Sequence, residues 1–144
     1  MEVFTTREQI VEVVNRLFVY TDEQEWENLE NEVFSREVLF DMSSLGTPAK
    51  KMPAKEICAN WKQGFEGLDA VNHLAGNYLV TLNDDAAIVF AYATATHFKK
   101  SASRGATRDF VGTYDLHLAK TEIGWRIDAF RYNLKYITGN VNLE

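Results

Sequence analysis

The first third of the chain spaces its apolar residues with the period of a helix. Between residues 6 and 21 one helical face is apolar, with Ile10, Val13, Val14, Leu17 and Phe18. The same period predicts a second, shorter helix at about residues 23–33. A third helix should begin near Pro53, because proline is tolerated in the first turn of a helix.

The remainder of the chain has the two-residue period of β-strands. An apolar run predicts a first strand at 36–43, and residues 44–51 should form a loop. Turn residues at 82–86 and 121–125 indicate hairpins. Four long strands are therefore predicted, at 70–82, 86–99, 107–120 and 125–138.

This order of elements indicates an α+β fold. Strands of about 13 residues are more than twice the usual length, so the sheet should curve strongly. We expect a cone-shaped α+β barrel, in which three N-terminal helices pack on a mainly antiparallel sheet around a cavity. The length of 144 residues suits a single domain over residues 1–144.

Composition narrows the range of partners. Fifteen basic and 21 acidic residues give a net charge of −6, which argues against nucleic-acid binding because phosphate recognition depends on basic side chains. No apolar run approaches the roughly 20 residues that span a bilayer, and the N-terminal residues lack the pattern of a signal peptide. A single cysteine, Cys58, excludes an internal disulfide. We therefore expect a cytoplasmic protein that binds neither nucleic acid nor a membrane.

Asp22, at the end of the first helix, is the first candidate for chemistry. It follows Val14 and Phe18 at intervals of four, so a helix continued to residue 22 would point its carboxylate toward the core. A buried carboxylate needs a partner, and histidine suits that role. A second interpretation is equally open, because Asp22 with Glu25 fits a capping box for the second helix.

His73 is an ionisable residue inside a predicted strand. A two-residue period places it on one face with Val71, Ala75 and Leu79. Position alone leaves its role open, since buried histidines often only satisfy a hydrogen bond. The next strand has a face of small residues, which leaves room for a ligand or for a closely packed helix. That face consists of Ala87, Val89, Ala91, Ala93 and Ala95, and ends at His97.

Other classes of site lack their motifs. The three histidines, at 73, 97 and 117, do not have paired metal-ligand spacing. The sequence contains no P-loop, dinucleotide fingerprint or G-x-S-x-G. We therefore expect neither a metal ion nor a cofactor.

The chain resembles the nuclear transport factor 2-like superfamily, and more narrowly its SnoaL-like branch. The resemblance lies in the order of elements and in the segments "HLAGNYLVTLNDDAAIVFAYATATH" and "GTYDLHLAKTEIGWRIDAFRYNLKYITGN". It covers nearly the whole chain and implies a conical fold. It does not imply one reaction, because the superfamily contains dehydratases, isomerases, cyclases, a dehydrochlorinase, epoxide hydrolases and non-catalytic modules.

The resemblance also implies site residues. Asp22 and His73 match the Asp–His pair of the family's dehydratases and dehydrochlorinase. His97 lies near a second active-site histidine of scytalone dehydratase-like members, and Tyr114 lies in a region that lines the cavity in relatives. Asp41 is a departure, since the dehydratases have a tyrosine there. It would be either a second base or only a residue that ends the strand.

A substrate pocket is expected beside this pair. We predict that its walls include Phe18, Val71, Ala93, Ala95, Phe130 and Leu134. Arg131 has the opposite parity in the last strand and should lie outside the pocket.

The outer faces of the strands should carry several aromatic residues. These are Tyr92, Phe98, Tyr132 and Tyr136. Exposed apolar groups favour association, so a homo-oligomer is expected, as a dimer or a trimer.

Two functional hypotheses follow. In the first, the protein is a cofactor-independent lyase or isomerase that resembles a dehydratase. His73 abstracts a proton from a small apolar, aromatic or polycyclic substrate, Asp22 orients the ring, and Tyr114, His97 or Asp41 assists. In the second, the same fold is a non-catalytic module for binding a small ligand or for dimerisation.

Overall fold

The computed structural model describes residues 3–144 and confirms the α+β fold class. Within those residues the helices are α1 (Thr6–Asp22), α2 (Trp26–Asn28) and α3 (Ala54–Gly64). A π-helical turn (Leu29–Val33) continues α2, and a 3₁₀ turn occupies Ser43–Leu45. The strands are β1 (Phe34–Asp41), β2 (Lys50–Pro53), β3 (Ala70–Asn83), β4 (Ala86–Phe98), β5 (Thr107–Thr121) and β6 (Gly124–Gly139).

The strands form a mixed sheet in the order β2-β1-β6-β5-β4-β3. The pairing of β1 with β6 is parallel, and the other neighbours are antiparallel. The sheet is strongly curved but not closed, in agreement with the cone-shaped α+β fold that the sequence predicts. Strand β2 was not predicted, because residues 44–51 were interpreted as a loop.

Helix α1 has a well-defined start and a well-defined end. Its first turn has a capping box, in which the Glu8 N–H donates to Thr5 Oγ1 (3.1 Å) and the Thr5 N–H donates to Glu8 Oε2 (2.7 Å). The predicted apolar face is buried. The helix ends at Asp22, and Gln24 turns the chain with a φ of 56°. The last helical turn therefore brings Asp22 to the sheet.

Strand β4 alternates as its sequence predicts. The face of small residues from Ala87 to Ala95 is buried, while Ile88 and Tyr92 on the other face are exposed. Small side chains on the concave face keep β4 from filling the space under the helices. That space is the cavity described below.

A β-bulge in β3 reverses the predicted direction of the Leu79 side chain. The pairing with β4 shifts between Gly76 and Leu79, and Asn77 has a φ of 57°. Because one extra residue reverses the alternation, Leu79 is 68% exposed, whereas Val80 packs against the core. His73 precedes the bulge and keeps its inward direction.

Tyr132 is a second correction. We expected it on the outer face of β6, but it is buried and packs against Tyr114, with ring centroids 4.9 Å apart. Its parity is that of Phe130, which also faces inward. A register shift just beyond Leu134 then turns Tyr136 outward, where it is 54% exposed.

The core lies between the concave face of the sheet and the three helices. Cys58 of α3 belongs to it, and burial raises the pKa of its thiol to about 12, so it acts as a packing residue. In the part of the chain from residue 3 onward, no helix has the length and apolarity to cross a membrane.

Candidate active site

Asp22 and His73 are in direct contact where the end of α1 meets β3. His73 Nδ1 lies 2.5 Å from Asp22 Oδ1, and the His73 backbone N–H donates to Asp22 Oδ2 (2.7 Å). Both carboxylate oxygens are therefore held by one residue. Each side chain is only 11% exposed. Asp22 does not cap α2, since the residue before that helix is Glu25, which makes no side-chain cap.

The contact with the carboxylate determines which ring nitrogen of His73 is free. A carboxylate accepts hydrogen bonds, so Nδ1 carries the proton and donates it toward Asp22. Nε2 then keeps its lone pair and can act as a base. The same carboxylate stabilises the imidazolium that forms when Nε2 takes a proton.

Of the two residues, His73 lies on the wall of an apolar cavity of about 170 Å³, and Asp22 contacts it from outside that wall. Phe18 packs against both His73 and Tyr114, with ring centroids 5.4 Å and 5.1 Å apart. Trp61 packs against Phe130 on the opposite side. The wall consists of Leu17, Phe18, Thr21, Met42, Leu45, Trp61, Phe65, His73, Ala93, Ala95, His97, Phe110, Tyr114, Phe130 and Tyr132.

His97 also lines this cavity, at the end of the small face of β4. Arg108, its cross-strand partner on β5, donates from Nε to His97 Nδ1 (3.0 Å). Burial lowers the pKa of His97 to about 4, and the charges of Arg108 and His73 act in the same direction. His97 is therefore neutral near pH 7.

Two tyrosines supply hydroxyl groups to the same region. Burial raises the pKa of Tyr114 far above its usual value, and the charge of Asp22 adds to that effect. Burial raises the pKa of Tyr132 to about 12. Among the described residues the Tyr132 hydroxyl has no hydrogen-bond partner, and it lies over Gly112, where a Cβ would come within 2.7 Å of it.

Asp41 does not join the site. Its carboxylate accepts from the Ser43 N–H (2.9 Å) and lies 3.6 Å from Arg131 Nε, whose side chain is 61% exposed. Those contacts lower the pKa of Asp41, mainly through Ser43. Asp41 thus lies on the outer side of the sheet and ends β1, which was one of the two roles expected for it. Arg131 lies outside the cavity, as expected.

Two predicted pocket residues are also absent from the wall. Val71 is buried but lies beyond the cavity, one alternation before His73 on β3. Leu134 packs partly buried against the core instead of the cavity. Each points to the same face of its strand as a residue that does line the cavity. The two-residue alternation therefore predicted the correct face of the sheet, but not how far along each strand the cavity extends.

Several residues of the site were not predicted. Arg108 is the most important of them, because it contacts His97 directly although it does not itself line the cavity. It could have been found only from the β4–β5 register, which the loop at 99–106 leaves undefined. Trp61 lies in the last turn of α3 and Phe65 directly follows it, and the helical period does not separate residues of the core from residues of the cavity wall.

Metal binding has no geometric support in the described residues. No group of three histidine, cysteine, aspartate or glutamate side chains between residues 3 and 144 is placed to hold a metal ion.

Comparison with known families identifies the chain. The model of the SnoaL-like domain matches residues 2–131. The chain belongs to the SnoaL-like family. A search of curated proteins finds no match.

Solved structures of several other proteins share this fold. The Kfla4162 protein of Kribbella flavida is 26% identical, with a TM-score of 0.90 over 96% of this chain and 95% of that one. A candidate scytalone dehydratase from Novosphingobium aromaticivorans is 13% identical, with a TM-score of 0.77 over 90% and 84%. A hexachlorocyclohexane dehydrochlorinase, LinA type 2, is 10% identical, with a TM-score of 0.76 over 92% and 87%. The last two likenesses show the fold alone.

Proposed function

We propose that this SnoaL-like protein is a cofactor-independent lyase or isomerase that uses His73 as a general base. The observation that carries the proposal is the contact of Asp22 with His73, whose ring lines an apolar cavity. A base needs a free lone pair, an orienting partner and a dry surrounding. Asp22 orients the His73 ring through Nδ1, which leaves Nε2 free, and the ring lines an apolar cavity. The names of the dehydratase and dehydrochlorinase with the same fold support a lyase.

The reaction begins at a C–H bond next to a carbonyl group. His73 Nε2 takes the proton, and the electron pair of that bond moves toward the carbonyl oxygen as an enolate. Asp22 offsets the positive charge on the imidazolium. In a lyase the enolate expels hydroxide from the β-carbon, which leaves as water with the proton from His73. In an isomerase the same proton returns to another carbon.

The walls define the class of substrate. Aromatic rings surround the reacting region, among them Phe18, Trp61 and Phe130, so a planar aromatic or conjugated small molecule fits best. The Tyr114 side chain lines the cavity, and its hydroxyl is suited to donate to a substrate oxygen. The Tyr132 hydroxyl is enclosed over Gly112, so we assign it no contact with the substrate.

The test is a panel of small aromatic and polycyclic β-hydroxycarbonyl compounds. Each compound is measured for binding by calorimetry and for conversion by mass spectrometry, and binders are soaked into crystals. We expect at least one compound to bind in the cavity and lose water or shift a double bond. Binding of several compounds without conversion would instead favour a non-catalytic ligand-binding module.

We also propose that the protein forms a homo-oligomer through the outer face of its sheet. Leu39, Ile88, Tyr92 and Tyr136 are 44–54% exposed on that face, and exposed apolar patches tend to be covered. Light scattering coupled to gel filtration should show a dimer or trimer. Ile88→Glu should then shift the protein toward monomer, and a monomeric wild-type protein would contradict the proposal.

A further inference from the structure

The two histidines of the cavity have partners of opposite kind. His73 Nδ1 faces a carboxylate, which only accepts hydrogen bonds. His97 Nδ1 faces the guanidinium of Arg108, which only donates them. The first contact requires a proton on Nδ1, and the second requires a lone pair there. The two rings are therefore held in opposite tautomers within one cavity.

We propose that Arg108 is a positioning residue that holds His97 as a neutral ring with its proton on Nε2, so that His97 donates a hydrogen bond to an acceptor oxygen of the substrate. The proposal rests on the proposed function, which makes His73 the base. His97 is then the donor that stabilises the enolate oxygen. The ligand class narrows to molecules in which a carbonyl group is bonded directly to the acidic carbon, so that the carbonyl oxygen lies two bonds from that carbon.

Arg108 is held in place by contacts besides His97. Its Nη1 donates to the Val141 carbonyl oxygen (2.9 Å), and its guanidinium lies over the Phe110 ring at 5.4 Å. The His97 ring packs between Phe65 and Phe110, with centroids 5.9 Å and 5.1 Å away. The His97 ring and the Arg108 guanidinium are thus each held by two contacts. Because Val141 follows β6, the segment after that strand helps to hold Arg108 in place.

Electrostatics around His97 favour the neutral ring. The charged and titratable groups that act on it are Arg108, His73 and Asp22. Arg108 and a protonated His73 both oppose a positive charge on His97, and Asp22 alone favours it. When His73 takes a proton from the substrate, the charge that appears in the cavity therefore further opposes protonation of His97. One ring gains the proton, and the other remains a neutral donor.

The experiment is long-range ¹H–¹⁵N spectroscopy of the full chain labelled with ¹⁵N-histidine. In the wild-type protein we expect His97 to show the neutral pattern with Nε2 protonated throughout the range from about pH 8 to 5, where ordinary histidines titrate. In Arg108→Met the ring should sample both tautomers, because the donor that keeps Nδ1 unprotonated is lost. Arg108→Lys keeps the charge but cannot make both contacts, so we expect an intermediate result. Arg104→Met is the matched control, because Arg104 is exposed and pairs with Glu144 instead.

Kinetics with a converted compound supply the second readout. Arg108→Met should lower kcat by about tenfold, less than the roughly 10²-fold or more that follows removal of a donor itself, because His97 remains in place; KM should change little. Arg104→Met should match the wild-type protein. A His97 ring protonated on Nδ1 in the wild-type protein, or a spectrum unchanged in Arg108→Met, would overturn the assignment. The expected spectra without conversion of any compound would support the assignment of Arg108 and count only against the proposed function.

Discussion

The structure contains the same acid–imidazole contact in two different surroundings. His73 and Asp22 meet inside the cone, and His117 and Asp128 meet on the outer face of the sheet. In each pair Nδ1 and Oδ1 are 2.5 Å apart. The inner side chains are both 11% exposed, whereas those of His117 and Asp128 are 41% and 35% exposed. Distance therefore does not separate a candidate base from a surface ion pair.

The surroundings make the difference. Asp22 also accepts the His73 backbone N–H, which fixes the carboxylate with respect to the ring. The other nitrogen of His73 belongs to a ring that lines an apolar cavity. In the outer pair both partners are screened by water, which weakens their interaction and leaves no dry surface for a substrate. Matched substitutions in the two pairs test this contrast directly.

The largest difference is expected for loss of the imidazole. His73→Ala should lower kcat on a converted compound by about 10²–10⁴-fold, the usual contribution of a general base. His117→Ala should remain within about twofold, as is typical of a surface substitution. Steady-state kinetics of both variants, with circular dichroism to confirm folding, make the comparison. Equal losses would place the chemistry elsewhere.

Loss of the carboxylate should also lower the free energy of unfolding by different amounts in the two pairs. Asp22→Ala leaves a mostly buried histidine and its backbone N–H without their acceptor, so the free energy of unfolding should fall by about 3 kcal/mol. Asp128→Ala should cost less than about 1 kcal/mol because its pair is exposed. Urea denaturation measures both. A cost for Asp128→Ala that matches the cost for Asp22→Ala would refute the contrast.

A conservative change of the carboxylates isolates their role in orientation. Asp22→Asn keeps the size of the side chain but loses the charge that stabilises the imidazolium. We expect kcat to fall by about 10²-fold with a much smaller change in KM. Asp128→Asn is the control and should be neutral. A rise in KM alone in Asp22→Asn would indicate that Asp22 serves binding.

A smaller effect is expected on the pH dependence of the free energy of unfolding, and it comes from His97 in the cavity. The pKa of His97 is about 4 in the folded chain, below its ordinary value of 6.5. Between those values the unfolded chain binds more protons, so stability falls as the pH drops from about 6.5 to 4. His97→Gln should remove most of that loss, and His117→Gln should leave it in place. Urea titrations at several pH values would contradict this if both variants behaved alike.

Much of the fold could be predicted because its cause is local. The apolar face of α1 and the alternation in β4 are both periodic signals, and both are confirmed. The facing of Leu79 was wrong because the bulge at Asn77 depends on cross-strand pairing, which no local pattern encodes. Short β2 was missed for the same reason, since four residues become a strand only by pairing with β1.

The site was partly accessible from the sequence. Spacing by four indicated that Asp22 would point inward, and the family resemblance paired it with His73. Arg108 could not be found, because it reaches His97 across two strands whose register the sequence leaves undefined. Asp41 was a candidate only by alignment, and its hydrogen bond to the Ser43 N–H keeps it outside the cavity.

The most direct test of the central claim is deuterium incorporation from D₂O into carbonyl compounds that bind the cavity. It follows proton removal from carbon even where no water is eliminated. The account predicts that the wild-type protein and His117→Ala incorporate deuterium next to the carbonyl group at equal rates, while His73→Ala does so at the rate of the uncatalysed reaction. Incorporation by His73→Ala at the wild-type rate, or none by the wild-type protein into any bound compound, would contradict it.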